Sequence, residues 1–191
     1  MTAIQRCTWC EQNQLYIDYH DKEWGVSVHD DRKLFEFLIL EGAQAGLSWL
    51  TILKRREGYR ESFANFNPEI VARYSKKKVE ELILNPAIIR NKLKIESAIS
   101  NAKAFIKIQE EFGSFDQYSW QFTEGTKIVN SWENQKDIPA TSKESDAFSK
   151  DLKQRGFKFV GSTIIYAHMQ AAGMVNDHLI SCFRYKYLLY R

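Results

Sequence analysis

The amino-acid sequence predicts an all-α protein, and three observations indicate this fold class. Apolar residues recur at helical spacing along most of the chain. No segment shows the sustained apolar–polar alternation of a β-strand, so we expect strands to be incidental at most. Only three of the 191 residues are prolines, and 44% are apolar, enough for the core of a single domain spanning residues 1–191.

Start signals and apolar periodicity predict three helices in the first part of the chain. Asp30 or Asp31 is expected to cap a helix whose apolar residues include Leu34, Phe35, Leu38 and Ile39. A second apolar helix is predicted from residue 48 to residue 59. Asn67-Pro68-Glu69 combines a cap, a first-turn proline and a first-turn acid, and therefore predicts a third helix start.

The last third of the chain predicts two more helices after a polar stretch. Residues 123–139 are mostly polar and are expected to form a surface connection. Thr141-Ser142-Lys143-Glu144 has capping-box spacing and predicts a helix that continues towards Arg155. The glycines at the ends of the segment 161–173 bracket a further apolar helix.

Composition and charge exclude few functional classes. The net charge is only +3, but a basic face can exist within a near-neutral total, so nucleic acid stays a possible partner. The chain shows neither the apolar run of a secretory signal nor 18 uninterrupted apolar residues, so we expect a cytoplasmic protein without a membrane partner. In a reducing compartment, three cysteines indicate metal binding, redox chemistry or packing instead of a disulfide framework.

Five of the seven cysteines and histidines lie near the two ends of the sequence: Cys7, Cys10, His20, His178 and Cys182. The i, i+4 spacing of His178 and Cys182 predicts that both lie on one helical face, about one turn apart. Thiolates and imidazoles together suit tetrahedral zinc at a closed structural site, which would join the two ends. Spacing leaves open which four are ligands, and it equally allows buried cysteines and satisfied histidines. The C-x-x-C motif also allows redox chemistry, although no βαβ pattern surrounds it.

One acid, Glu41, lies in the strongly apolar segment 38–49. Two glycines, Gly42 and Gly46, follow it in this segment. A buried lone carboxylate is costly unless it is hydrogen-bonded, and it tends to protonate. Glu41 therefore either accepts backbone N–H bonds near a helix end or faces a polar ligand. The glycines would let a backbone or a ligand approach closely.

Aromatic residues make up 14% of the chain, and several lie close to this acid or to the N-terminal cysteines: Trp9, Tyr16, Tyr19, Trp24 and Trp49. Rings and one acid together suit a flat cationic base, because rings stack on its face while the carboxylate accepts its hydrogen bonds. The same rings at helical spacing are also compatible with a core, and Trp24 is the one that core packing explains most easily.

A predicted helical hairpin offers a surface for DNA. Residues 75–84 predict a short helix, Asn85–Lys92 a tight turn, and Ile95 begins the apolar face of a longer helix. Backbone N–H groups at the start of the second helix can contact a phosphate, and Arg90 and Lys94 would add positive charge. The alternative is a solvated basic loop of a helical hairpin. The turn contains no glycine, so the pattern alone does not favour DNA binding over this alternative.

Six motifs stand in order along the chain: Cys7-x-Trp9, Tyr16–Gly25, Leu40–Trp49, Ile88–Asn91, Arg155–Thr163 and Gln170–His178. Together they resemble the signature of the DNA-3-methyladenine glycosylase I family from about Cys7 to Cys182. The resemblance implies a helix-hairpin-helix glycosylase fold, with the hairpin within helices of about residues 67–140. It also implies base-excision repair of alkylated double-stranded DNA, by hydrolysis of the N-glycosidic bond of 3-methyladenine.

The resemblance assigns roles to residues of this chain. One structural zinc ion would be held by Cys7, His20, His178 and Cys182, which leaves the part played by Cys10 ambiguous. The catalytic residues would be Glu41, Tyr19 and Trp49. The base would be enclosed by Trp9, Tyr16 and Trp24. DNA contacts would fall to the hairpin residues Ile89, Arg90, Asn91 and Lys92, although Ala87 stands in a turn that contains glycine in related glycosylases.

The expected mechanism follows from the charge of the lesion. Adenine methylated at N3 is cationic and leaves as a neutral base, so it needs little acid catalysis once it is flipped into a pocket. No lysine belongs to the pocket motifs, so we expect an enzyme that does not cut the strand. We also expect it to be a monomer. Two other classes stay open: a zinc-stabilised DNA-binding module without catalysis, and a thiol redox protein that uses Cys7 and Cys10.

Overall fold

The computed structural model describes residues 4–11 and 13–190, without the side chain of Tyr190. Within these residues the chain is mostly helical, as predicted. The α-helices are α1 (Gln14–Lys22), α2 (Asp31–Gln44), α3 (Trp49–Leu53), α4 (Arg56–Ser62), α5 (Pro68–Val71), α6 (Lys76–Leu84), α7 (Lys92–Phe112), α8 (Phe115–Trp120), α9 (Lys143–Gln154), α10 (Ser162–Ala171) and α11 (Phe183–Tyr187). Single turns of 3-10 helix occur at Thr8–Cys10, Ala64–Phe66, Gln121–Thr123, Gln135–Asp137 and Leu188–Tyr190. The single-domain prediction also covers residues 1–3, 12 and 191, which lie outside the described residues.

Strands are as minor as the sequence predicts. Strands β1 (Ile128–Val129) and β2 (Val175–Asn176) form one parallel pair, in which Ile128 is opposite Val175. Strand β1 lies in the predicted surface connection, which is largely exposed. The pair therefore fixes this connection beside the segment that follows α10.

Capping residues begin the helices where the sequence predicts them. Asp30 caps α2, and Asn67 caps α5 with Pro68 in its first turn. Asp31 has a different function, because its carboxylate accepts the backbone N–H groups of Phe115 and Asp116 at 2.9 and 2.8 Å. This side chain therefore joins the start of α2 to the start of α8.

Two predicted helix boundaries are wrong. The helix expected over residues 48–59 is broken into α3 and α4, and the break turns α4 so that Arg56 reaches Glu23 at 2.8 Å and Glu36 at 2.7 Å. The capping box is displaced by one residue, because Ser142 and Ser145 form the reciprocal pair at the start of α9. The first boundary coincides with long-range ion pairs of Arg56, whereas the second is a local capping box that begins one residue later than predicted.

The prediction that His178 and Cys182 share a helical face is also wrong. They lie in a turn between β2 and α11, where the Cys182 amide donates to the Leu179 carbonyl at 2.8 Å. The turn still brings Cys182 Sγ to 3.6 Å from His178 Nδ1. The i, i+4 spacing therefore predicts the contact correctly, although the backbone between the two residues is not helical.

Helix α2 lies at the centre of the fold and packs against α3, α7, α8 and α10. All its residues from position 34 to position 43 are buried. Its Phe35 ring lies 5.0 Å from that of Phe105, which stacks on Phe115 at 4.3 Å. No helix in the described part of the chain is both long and apolar enough to span a bilayer. The buried end of α2 carries Glu41, so the central helix positions this acid.

Candidate active site and metal-binding cluster

Four potential metal ligands from opposite ends of the chain meet in a buried cluster: Cys7, His20, His178 and Cys182. Their ligand atoms all lie within 4.8 Å of one another. The sulfur–nitrogen distances are 3.6 Å from Cys7 to His178 and 3.5 Å from Cys182 to His20. The fifth candidate, Cys10, is outside this group, and its thiol donates to the Cys7 carbonyl at 3.1 Å. The group of four is positioned to bind a metal ion.

Hydrogen bonds around the cluster orient its imidazole rings. The Nδ1 atom of His20 lies 2.7 Å from the Asp21 carboxylate, which also accepts from Arg6 at 2.8 Å. The Nε2 atom of His178 lies 3.1 Å from the Trp24 carbonyl oxygen. In each case the acceptor receives a hydrogen bond from the N–H of one ring nitrogen, which leaves the other nitrogen facing the cluster, as in metal sites.

Protonation at Cys182 and His178 suits a metal, whereas the hydrogen bond that Cys7 shares with Cys182 raises the pKa of Cys7. The hydrogen bond from the Cys7 thiol, followed by those from the imidazoles, holds the pKa of Cys182 below its usual range. Burial lowers the pKa of His178. These shifts favour a thiolate and a neutral imidazole, which are the forms that bind metals.

A cavity of about 220 Å³ lies next to this cluster and is walled by Trp9, Tyr19, Trp24, Trp49 and Glu41. The rings of Tyr19 and Trp49 are 5.5 Å apart, and those of Trp9 and Trp24 are 5.1 Å apart in an edge-to-face arrangement. Trp24 also lies 4.5 Å from the His178 ring. One aromatic side chain thus belongs both to the cavity wall and to the surroundings of the metal-binding cluster.

Tyr16 lies behind the wall of this cavity. Its hydroxyl accepts the backbone N–H of Leu50 in α3 at 2.9 Å, and its ring meets Trp9 edge-on at 5.4 Å. Tyr16 is therefore not among the residues that line the cavity, and its contact with a base stays a prediction. Tyr16 supports Trp9 and the helix that carries Trp49.

Glu41 and His168 form a buried pair beside the cavity. The distance from Glu41 Oε2 to His168 Nδ1 is 2.9 Å, and the two residues are 3% and 0% exposed. Within the described residues, three buried polar atoms here lack a hydrogen-bond partner: Glu41 Oε1, His168 Nε2 and Trp49 Nε1. Burial raises the pKa of Glu41, and His168 opposes this shift. Because buried polar atoms are normally satisfied, the arrangement indicates a polar ligand.

The turn between α6 and α7 has the predicted location, but part of its backbone is already engaged. The Ile89 amide donates to the Tyr59 hydroxyl at 3.3 Å, and the Asn91 amide donates to the Ile89 carbonyl at 2.8 Å. The side chain of Asn91 caps α7. The cationic side chains of Arg90 and Lys92 are exposed, so a phosphate could reach both of them, and the DNA contacts of the hairpin stay a prediction.

Two side chains fix this turn against the rest of the fold. The ammonium of Lys94, expected to face phosphate, instead donates to the Ala43 and Ala45 carbonyls at 2.8 and 2.6 Å. It therefore caps the end of the helix that carries Glu41. In α4, a Cβ atom at Gly58 would lie 2.4 Å from the Ala87 carbonyl oxygen, so glycine permits the close approach of α4 to the turn.

Comparison with known proteins identifies the family. The sequence model of the methyladenine glycosylase family matches residues 9–185. The chain belongs to the methyladenine glycosylase family. The motifs that resemble this family therefore identify it correctly.

Individual glycosylases are similar over nearly the whole chain. The DNA-3-methyladenine glycosylase 1 of Escherichia coli (strain K12) is 47% identical over 179 residues, which cover 94% of this chain and 96% of that protein. A crystal structure of a 3-methyladenine DNA glycosylase I has a TM-score of 0.92 and 49% identity, covering 94% of this chain and 98% of that one. The Staphylococcus aureus 3-methyladenine DNA glycosylase I, whose structure concerns 3-methyladenine recognition, has a TM-score of 0.91 and 36% identity, with coverages of 95% and 96%.

Sequence reasoning missed four polar residues at this glycosylase site. His168 is the most important, and its signal was a lone histidine in the apolar helix between two glycines. The cavity is also lined by Gln44, Gln135 and Gln170. Gln44 and Gln170 lie within the family motifs, whereas Gln135 comes from the predicted surface connection, where no local pattern indicates a site.

Proposed function

We propose that this chain excises 3-methyladenine from alkylated double-stranded DNA by hydrolysing the N-glycosidic bond, as a base-excision repair enzyme. The observation that carries the proposal is the aromatic cavity that contains a buried carboxylate with one unsatisfied oxygen, Glu41 Oε1. Family membership and the named activity of the relatives support the same reaction.

The cavity suits the charge and shape of the lesion. A flipped 3-methyladenine is flat and cationic, and Tyr19 and Trp49 can stack on it and attract its charge. The Glu41 carboxylate would accept hydrogen bonds from its amino group. As the glycosidic bond breaks, the base leaves as a neutral molecule and the sugar gains oxocarbenium character. Water then attacks C1′ of the sugar and loses a proton to the solvent. Normal adenine lacks the positive charge and gains less from this cavity.

Several residues would hold the base and would not react with it. Trp9 and Trp24 would close the cavity, and Tyr16 would keep Trp9 in place. Strand cleavage through an imine needs an amine such as that of lysine, and there is no lysine among the described residues that line the cavity. This supports a glycosylase that releases the base without cutting the strand. We also propose one catalytic domain acting as a monomer, since one chain supplies all these walls.

Zinc is the metal that we propose for the cluster. A tetrahedral zinc ion about 2.3 Å from sulfur and 2.0–2.1 Å from nitrogen separates these ligands by about 3.6 Å. The sulfur–nitrogen distances of 3.5 and 3.6 Å fit this geometry. Four protein ligands leave no open position, so the zinc would stabilise the fold and join Cys7 and His20 to His178 and Cys182.

DNA would be held by the hairpin between α6 and α7, a helix-hairpin-helix element. The exposed cations Arg90 and Lys92 lie at the start of α7, where charge and free amides attract phosphate. Lys94 connects this element to the end of α2. A DNA contact at the hairpin would therefore lie on the same rigid unit as the base cavity.

The two alternative classes receive less support. A DNA-binding module without catalysis does not explain why three buried polar atoms beside the cavity lack partners. A thiol redox protein would need a reactive pair, but burial raises the pKa of Cys10 to about 11, and Cys7 belongs to the metal-binding group. A thiol with so high a pKa is a poor nucleophile at neutral pH.

The decisive test is release of free base from methylated duplex DNA, with strand nicking followed in parallel. We expect the wild type to release 3-methyladenine without nicking, and Glu41→Gln to reduce release about 100-fold or more. Glu57→Gln is a matched control, because the Glu57 side chain is 68% exposed on α4. No release by a folded, metal-loaded wild type would contradict the function, whereas equal release by Glu41→Gln would contradict only the role of Glu41.

A further inference from the structure

The contact between Glu41 and His168 joins the central helix α2 to α10. The atoms are 2.9 Å apart in a region from which water is excluded. An ionised carboxylate can only accept hydrogen bonds, so Nδ1 of His168 must carry the proton that joins them. On the opposite sides of the pair, Oε1 and Nε2 have no partner within the described residues. The pair is thus fixed on one side, while on the other side each residue has a buried polar atom without a partner, and Glu41 lines the cavity.

We propose that His168 is a positioning residue that keeps Glu41 an ionised hydrogen-bond acceptor, and that this state selects 6-amino over 6-oxo purines. The inference rests on the proposed function and adds the residue that determines which methylated purine is accepted.

The selection follows from the hydrogen-bonding groups of the two bases. 3-Methyladenine carries an amino group at position 6, which donates to a carboxylate. 3-Methylguanine carries a carbonyl oxygen there, and its lone pairs would face those of Glu41 Oε1. A buried acceptor that meets another acceptor loses its hydrogen bond to water and gains none in its place, so 3-methylguanine is rejected. A protonated Glu41 has a hydrogen to donate and would lose this discrimination.

The surroundings of Glu41 make its charge depend on His168. Burial raises the pKa of Glu41, and His168 acts in the opposite direction. Tyr19 of α1 lines the same cavity, and burial raises its pKa well above the usual value, so it is neutral at pH 7. Lys94 of α7 is bound to backbone carbonyls, and Asp116 of α8 pairs with a histidine. His168 is therefore the titratable group, among those described, that contacts the carboxylate.

The test compares His168→Leu with His168→Asn in the full-length, metal-loaded protein. Release of 3-methyladenine and of 3-methylguanine from methylated duplex DNA is measured from about pH 5.5 to about pH 9. Without the imidazole, the raised pKa of Glu41 keeps this acid protonated up to higher pH. For His168→Leu we expect release of 3-methyladenine to fall about tenfold or more at pH 7 and to recover as the pH rises.

Two further readouts separate positioning from packing. The ratio of 3-methyladenine to 3-methylguanine release should fall in His168→Leu at pH 7 and return at high pH. His168→Asn should restore part of the wild-type activity at acid pH, because its amide N–H can replace the hydrogen bond of Nδ1–H but not the electrostatic effect of the imidazole. His168→Gln, whose amide is displaced along the side chain, should restore less. His168→Gln also serves as the test variant if His168→Leu does not fold.

Ile165→Ala is the packing control, since Ile165 is a fully buried residue of the same helix. It should lower stability without moving the pH profile or the base ratio. A His168→Leu profile that is only lower, with the shape and ratio of Ile165→Ala, would overturn the proposal. Absence of base release by the wild type would instead contradict the proposed function, so the two failures are distinguishable.

Discussion

The contact between Gly58 and the hairpin turn allows a prediction of size as well as direction. In Gly58→Ala, the new Cβ atom would lie 2.4 Å from the Ala87 oxygen and 2.6 Å from the Ala87 Cβ, whereas ordinary contacts begin at 3.4 Å. The helix α4 and the turn must therefore separate by about 1 Å. Overpacking of this kind costs about 1–3 kcal/mol, and the better helix propensity of alanine offsets about 1 kcal/mol. We expect a net loss of up to about 2 kcal/mol in the free energy of unfolding.

The same displacement should affect DNA more than free base. Urea unfolding gives the stability, and titrations with duplex DNA and with free 3-methyladenine separate the two binding steps. We expect weaker DNA binding and nearly unchanged binding of free base, because the cavity residues do not touch Gly58. The control is Gly161→Ala, whose Cβ would meet no atom within 4 Å at an ordinary φ of −61°. Wild-type stability and DNA affinity in Gly58→Ala would refute the reasoning.

Two further predictions concern the metal and the pH dependence of stability. Cys182→Ser should lose the bound metal in elemental analysis and become less stable, whereas Cys10→Ser should keep one ion per chain, because Cys10 lies outside the group of four; metal loss in both variants would contradict this ligand set. Arg56→Met should lower the free energy of unfolding by about 3 kcal/mol, because it removes the guanidinium from the partly buried carboxylates of Glu23 and Glu36, which a lysine still contacts. Burial alone would raise the pKa of Glu36, but the charge of Arg56 lowers it overall. This part of the stability is therefore complete above about pH 5 and lost as the pH falls below about 4.3; urea midpoints should show that loss in the wild type and less of it in Arg56→Met.

The sequence predicts most helices because their signals are local. Capping residues, first-turn prolines and apolar periodicity act within a few residues, and Asp30 and Asn67 begin helices as expected. The helix break after α3 was not predictable in this way. It depends on the contact of Arg56 with Glu23 and Glu36, which are more than one helix away in the sequence.

The site was predictable where residue type alone restricts the chemistry. Cysteines and histidines at the two ends indicated metal binding by their type, but only the resemblance to the family named four of the five, and these four do come together. The partner of Glu41 could not be named, because a histidine in an apolar helix is usually satisfied by its own surroundings. The prediction that Lys94 faces phosphate was wrong for a related reason, because a lysine near a turn is normally solvated. Only the packing of α7 on α2 brings its ammonium to the backbone carbonyls at the end of α2.

The base cavity takes its walls from residues that are far apart in the order of synthesis. Trp9 and Tyr19 are synthesised more than 140 positions before Gln170, which lines the same cavity. The cavity therefore lacks part of its wall until residue 170 has joined the folded part of the chain. A nascent chain that ends before this residue has no complete cavity, whichever of its helices have already formed.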